Sequence, residues 1–137
     1  MGESLSHIQL VKGMAEWIVR SYCDVEMGHI LLDSPEASSL TRPPKIYNFI
    51  PDLYVPNTTR KFIIIGEAKT ANDLENDHTE EQIGAFLRKC SEFEGAHFVF
   101  AVPWHKTRLA KSIIKYIQAK IGLTKHVTII IPEIFPG

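Results

Sequence analysis

A chain of 137 residues with 45% apolar residues can bury one core and is too short for two comfortable ones. Its formal net charge of −1 excludes a protein that holds nucleic acid by bulk positive charge, so any such contact must come from a local patch. Two distant cysteines, Cys23 and Cys90, and apolar runs no longer than 62–65 and 127–131 exclude a cysteine-rich zinc site and a membrane-crossing helix, which needs about 20 apolar residues.

The first predicted element is a helix over residues 4–22. Val11, Met14 and Ile18 repeat at helical spacing, with Leu10 and Trp17 at the edge of that face. Gln9, Lys12, Glu16 and Arg20 take the opposite, polar side. Residues 24–33 read as a strand, closed by Ser34-Pro35, and the proline-containing stretch 34–44 reads as a loop. Residues 46–55 are rich in β-formers, and Pro51 within them implies an edge position or a bend. The polar stretch 56–60 suits a hairpin turn. Residues 61–68 make the strongest strand, because 62–65 is apolar without a break, as in a strand covered on both faces.

An acidic loop from Thr70 to His78 leads to a second helix over 79–93, with Ile83, Phe86, Leu87 and Cys90 as its buried stripe and Gly95 at its end. Residues 97–102 form a strand, stopped by Pro103. Thr107 is placed to cap a third helix whose Leu109, Ile113, Tyr116, Ile117 and Ile121 face inward and whose C-cap glycine is Gly122. Residues 127–131 are a last strand before Pro132. Strands that first meander and then alternate with helices imply one α/β domain over residues 1–137, a mixed sheet with helices on both faces. No basic stretch followed by an apolar run opens the chain, and both cysteines fall in segments read as structured and apolar. The expectation is a reduced, cytoplasmic protein.

The chemistry concentrates in two stretches, Ile50-Pro51-Asp52 and Ile65-Gly66-Glu67-Ala68-Lys69. With the turn centred near Thr58–Thr59, Asp52 falls opposite Ile65 and shares a face with Glu67, one diagonal step of about 7–8 Å away. Two carboxylates at that spacing suit one hard divalent cation, magnesium or manganese. Such a cation neutralises charge on a phosphodiester and acidifies a bound water. Lys69, two residues beyond Glu67, lies on the same face, where it can hold the water and offset transition-state charge. The backbone carbonyl of Ala68 is a third candidate ligand, and Gly66 leaves room beside the site.

Pro51-Asp52, followed 15 residues later by Glu67-Ala68-Lys69, resembles the PD-(D/E)xK signature of restriction-endonuclease-like nucleases. The predicted element order is similar to their αβββαβ core, so the likeness covers most of the chain. The resemblance implies a metal-dependent nuclease, with DNA as substrate and a homodimer or partner protein as one route to sequence specificity. Gln82-Ile83-Gly84-Ala85-Phe86 is similar to the QxxxY motif of the RecB-like branch, with Phe86 in place of the tyrosine. The resemblance thereby puts Gln82 near metal and phosphate. Family members also carry an acid or a histidine on the first helix. His7 continues the Val11/Met14/Ile18 face, and Glu3 lies one turn earlier.

Plainer roles stand beside these. Gln82 also fits N3 of a capping box begun by Thr79. His7 also fits as an ordinary helix-start residue, and His78 as a surface residue. Lys106, Arg108, Lys111 and Lys115 follow helical spacing, so they suit either phosphate contacts or a solvated helix face. Trp104-His105, at a strand end, is a candidate substrate contact. The acidic residues Asp73, Glu75, Asp77, Glu80 and Glu81 would repel nucleic acid from their side. Two rival readings remain: a catalytically silent DNA-binding or regulatory module that keeps the fold, and an interaction protein in which the Asp/Glu/Lys trio is an accident.

Overall fold

The computed structural model describes residues 5–34, 41–56, 62–123 and 127–133. In chain order these form α1 (Leu5–Ser21), β1 (Leu31–Leu32), β2 (Leu53–Val55), β3 (Phe62–Ala68), α2 (Asp77–Cys90), β4 (Gly95–Ala101), α3 (Thr107–Ile121) and β5 (Thr128–Ile130). The strands make one mixed sheet in sequential order, β1-β2-β3-β4-β5. β1, β2 and β3 pair antiparallel, while β3, β4 and β5 pair parallel. The parallel half follows from its connections, since a parallel neighbour needs a crossover and α2 and α3 supply it.

The unbroken apolar run explains the place of β3 at the centre. Alternate residues of a strand face opposite sides, so both sides of this run need cover. Ile63 and Ile65 pack with Ile83, Phe86 and Leu87 of α2 and Ile114 and Ile117 of α3. Ile64 and Ala68 pack with Leu10, Met14 and Ile18 of α1. Helices therefore cover both faces, as the sequence implies. Among the described residues no helix is long and apolar enough to cross a membrane.

Several local expectations are corrected. The first strand shrinks to Leu31–Leu32, preceded by a 3₁₀ turn at Met27–His29. In the 46–55 stretch, Ile46 and Phe49 bridge across a tight turn in which Tyr47 takes φ 55°, so only Leu53–Val55 extends. A left-handed tyrosine is uncommon, and β-propensity alone gives no sign of it. Gly95 opens β4 rather than merely ending α2, which stops at Cys90. Thr107 is the first helical residue of α3, whose N-cap position is Lys106. Gly122 does close α3, at φ 65°. Tyr116, expected inward, is 59% exposed, and Ala110 and Ile114 are buried instead. Cys23 is exposed after α1, whereas burial pushes the Cys90 thiol up to about 12. The predicted turn at 56–60 falls largely outside the described residues, as does Glu3.

Gly66 has a different task from the one its place beside the acids implies. A Cβ there would lie 2.9 Å from Met14 Sδ and 3.1 Å from Leu53 Cβ. The missing side chain therefore lets α1 approach the sheet, and Gly66 faces away from the acids. Gly66→Ala is expected to cost about 1–3 kcal/mol by overpacking. Urea unfolding checks this, and Met14→Ala in the same chain should recover part of the loss.

Candidate active site

The site forms at one edge of the sheet. β3 and β4 run parallel and end there, at Ala68 and Ala101, and antiparallel β2 begins there, just after Asp52. In open α/β sheets, ligands bind beyond the carboxyl ends of the strands. The N-terminal turn of α1 reaches the same edge through His7, whose ring lies against Asp52.

The register differs from the expected one. Leu53 pairs with Gly66, so the ladder continued by one residue sets Asp52 directly across from Glu67, not diagonally. The pairing is thus shifted by two residues from the expected match of Asp52 with Ile65. The Asp52 N–H donates to Glu67 Oε1 at 3.0 Å. The Ala68 N–H donates to Asp52 Oδ2 at 2.8 Å. Each carboxylate thus anchors one oxygen on the other strand's backbone, and both acids are buried, at 7% and 3% exposure.

Cationic and polar side chains complete the cluster. Lys69 Nζ lies 3.4 Å from Glu67 Oε2 and donates to Gln82 Oε1 at 2.5 Å. His7 Nε2 lies 3.1 Å from Asp52 Oδ2. All five predicted side chains, His7, Asp52, Glu67, Lys69 and Gln82, therefore join one continuous chain of polar contacts drawn from α1, β2, β3 and α2. Burial first, and then the adjacent Asp52 charge, raises the Glu67 carboxyl well above the usual range, although Lys69 opposes this.

The capping-box alternative for Gln82 is overturned. The N-cap of α2 is Asn76, whose Oδ1 accepts from the Thr79 N–H at 2.7 Å. Thr79 lies inside the helix and donates its hydroxyl to the Asp73 carbonyl at 2.5 Å. With the helix begun two residues earlier than expected, Gln82 leaves the first turn and its amide turns to Lys69.

Asp33 is a neighbour that the sequence reading passed over. Its N–H donates to the Asp52 carbonyl at 3.0 Å. Its carboxyl is raised by partial burial and by Asp52, and is held back by Arg42 and His7. It stands at the end of the stretch read as the first strand, where no spacing ties it to Asp52. His78, in contrast, is exposed and packs edge-on against Phe49, with ring centroids 5.6 Å apart.

The four basic residues at and along α3 are not gathered around the acids. Arg108, Lys111 and Lys115 are exposed on α3, and Lys106 is half-buried at its start. At 1.5 Å rise per residue, Lys111 and Lys115 move steadily away from the edge where α3 begins. Lys106 and Arg108 alone stay near that edge.

A hard cation would meet a small donor set here. Among the described residues, no three His, Cys, Asp or Glu side chains converge into a metal cage. Magnesium does not need one, because it keeps several waters and takes one or two carboxylates plus substrate oxygens. Two buried carboxylates side by side, one with its ionised form strongly disfavoured, fit such an ion. Compared with family profiles, curated proteins and solved structures, the chain finds no match in any of the three.

Proposed function

We propose that this protein is a divalent-metal-dependent nuclease of the PD-(D/E)xK, restriction-endonuclease-like class, hydrolysing phosphodiester bonds, with DNA as its substrate. The observation that carries this reading is the buried Asp52–Glu67 pair with Lys69 held 3.4 Å from Glu67 by Gln82. Asp52, Glu67 and the Ala68 carbonyl would hold magnesium or manganese. When bound, such an ion supplies charge neutralisation at the phosphate and an acidified water.

The chain's own residues do the rest. Glu67 accepts from the Asp52 N–H and Asp52 accepts from the Ala68 N–H, so the two carboxylates cross-brace the adjoining strands and are fixed before substrate arrives. Gln82 fixes the Lys69 ammonium. Lys69 holds the attacking water and offsets the negative charge that builds on the phosphate. His7 fixes Asp52 by its Oδ2. Asp33 adds negative charge near Asp52, which Arg42 and His7 partly offset.

The test is cleavage of labelled duplex, single-stranded and branched DNA, and of RNA, with magnesium or manganese, beside Glu67→Gln and Lys69→Ala. Metal-dependent cutting that both substitutions abolish is the expected result. No cutting of any substrate would sink the proposal and favour the catalytically silent binding module.

A further inference from the structure

Beside the acids lies a second concavity that catalysis does not use. It is a cleft of about 350 Å³ between the start of α1, the loop after β3 and the loop after β4. Leu10 and Pro103 make apolar walls, Gln9 and Thr70 offer hydrogen-bonding groups, and Trp104 and His105 line one side. Two of its lining residues, Ser6 and Thr70, are the chain neighbours of His7 and Lys69, which places the cleft next to the proposed active site.

Trp104 is 56% exposed and belongs to neither core cluster. His105 meets its ring edge-on, with centroids 5.5 Å apart, which leaves the indole open to a further partner. Singly exposed apolar side chains are common, and Trp104 is set apart by its place in the lining of this cleft, where its ring offers both a stacking face and an N–H.

We propose that this cleft receives one unpaired nucleobase of the substrate strand, stacked on Trp104, so that the enzyme selects strands with single-stranded character at the cut. This rests on the nuclease reading of the adjacent site. Three observations favour an unpaired base. A base inside a duplex already has neighbours on both faces and cannot reach a protein ring, whereas an unstacked one can. Among the described residues, the four basic side chains at and along α3 run outward from this cleft, and the net charge is −1, so stacking has more to contribute here than bulk charge. The Gln9 and Thr70 side chains give the edge of such a base hydrogen-bonding partners inside an otherwise apolar wall.

The experiment is fluorescence anisotropy of a labelled six-nucleotide single strand and of a labelled hairpin duplex. Both are titrated with the full-length Glu67→Gln chain, which binds without cutting, and with the same chain carrying Trp104→Ala or Trp104→Phe. The expected result is tighter binding of the single strand, weakened about tenfold by Trp104→Ala and mostly kept by Trp104→Phe, as loss of one stacked base implies. An equal loss for strand and duplex, or no effect of Trp104→Ala, overturns the proposal. An abasic residue placed along the strand should remove the Trp104 effect at one position, and its persistence at every position would also overturn it. Wild-type cleavage is scored separately. Trp104-dependent binding without cleavage keeps the cleft and rejects the nuclease, and cleavage with Trp104-independent binding does the reverse.

Discussion

Lys69→Met is expected to cost about 3 kcal/mol of stability at pH 7.5, the low end of the range for removing one partner of a buried ion pair. Lys69 is the cation beside Glu67, with side-chain exposures of 13% and 4%. Its removal leaves a carboxylate that burial and Asp52 already push toward the neutral form. The folded-state pKa of Glu67 is raised above its unfolded value. The protonated form therefore contributes stability that is fully present below the ordinary glutamate pKa of about 4.3. That contribution is lost as pH rises through the folded value. Without Lys69 the folded value rises further, so the penalty should be large at pH 7.5 and should shrink at pH 5. Denaturant unfolding at both values, in metal-free buffer, reads the difference. Adding Glu67→Gln to Lys69→Met should recover most of the loss. Equal penalties at the two pH values, or no recovery, would refute the coupling. In the cleavage assay the same variant should lose about 10²–10³-fold in kcat, the usual scale for removing one group that stabilises transition-state charge.

Glu67→Gln carries the second large effect, and it divides stability from activity. Glutamine keeps the acceptor for the Asp52 N–H and removes a buried charge whose ionised form is disfavoured. The metal-free variant should melt about 3 °C or more above the wild type at neutral pH. Hydrolysis should fall by about 10²–10³-fold or more, because the cation loses a ligand. The two proteins should also respond differently to magnesium. A ligand that binds only the folded state adds about 2.7 kcal/mol at a hundred times its Kd. The wild-type melting point should therefore rise with the ion while that of the variant stays flat. Scanning calorimetry with and without magnesium reads both effects. A lower melting point together with an unchanged ion response would remove Glu67 from the metal site.

What was legible in the sequence was what period and continuity encode. The unbroken run at 62–65 marked the central strand, and Gly122 marked the end of α3, where a left-handed residue was needed. Asp52, Glu67 and Lys69 were legible because two strands joined by a short turn bring acids 15 residues apart to one place. The exact pairing was not. A two-residue shift in pairing changes diagonal to direct opposition, and no residue type in the 56–60 sequence fixes that choice. The role of Gln82 was hidden by Thr79, which imitates a cap, while Asn76 competes for the same helix start and wins. Gly66 was misassigned because close packing by α1 is a long-range event with no local signature. Asp33 was missed for a related reason, since its tie to Asp52 is a backbone bond between strands and leaves no motif.

The sheet ends on one side in β1, with two residues, and on the other in β5, with three. Long bare strand edges invite further strands from other molecules and so promote aggregation, and very short ones give such a strand little to hold. Among the described residues, neither outer margin of the sheet offers a second copy of this chain a long ladder to continue. The apolar run 62–65 is itself paired on both flanks, by β2 and β4, so in the folded protein its backbone is closed to a further strand.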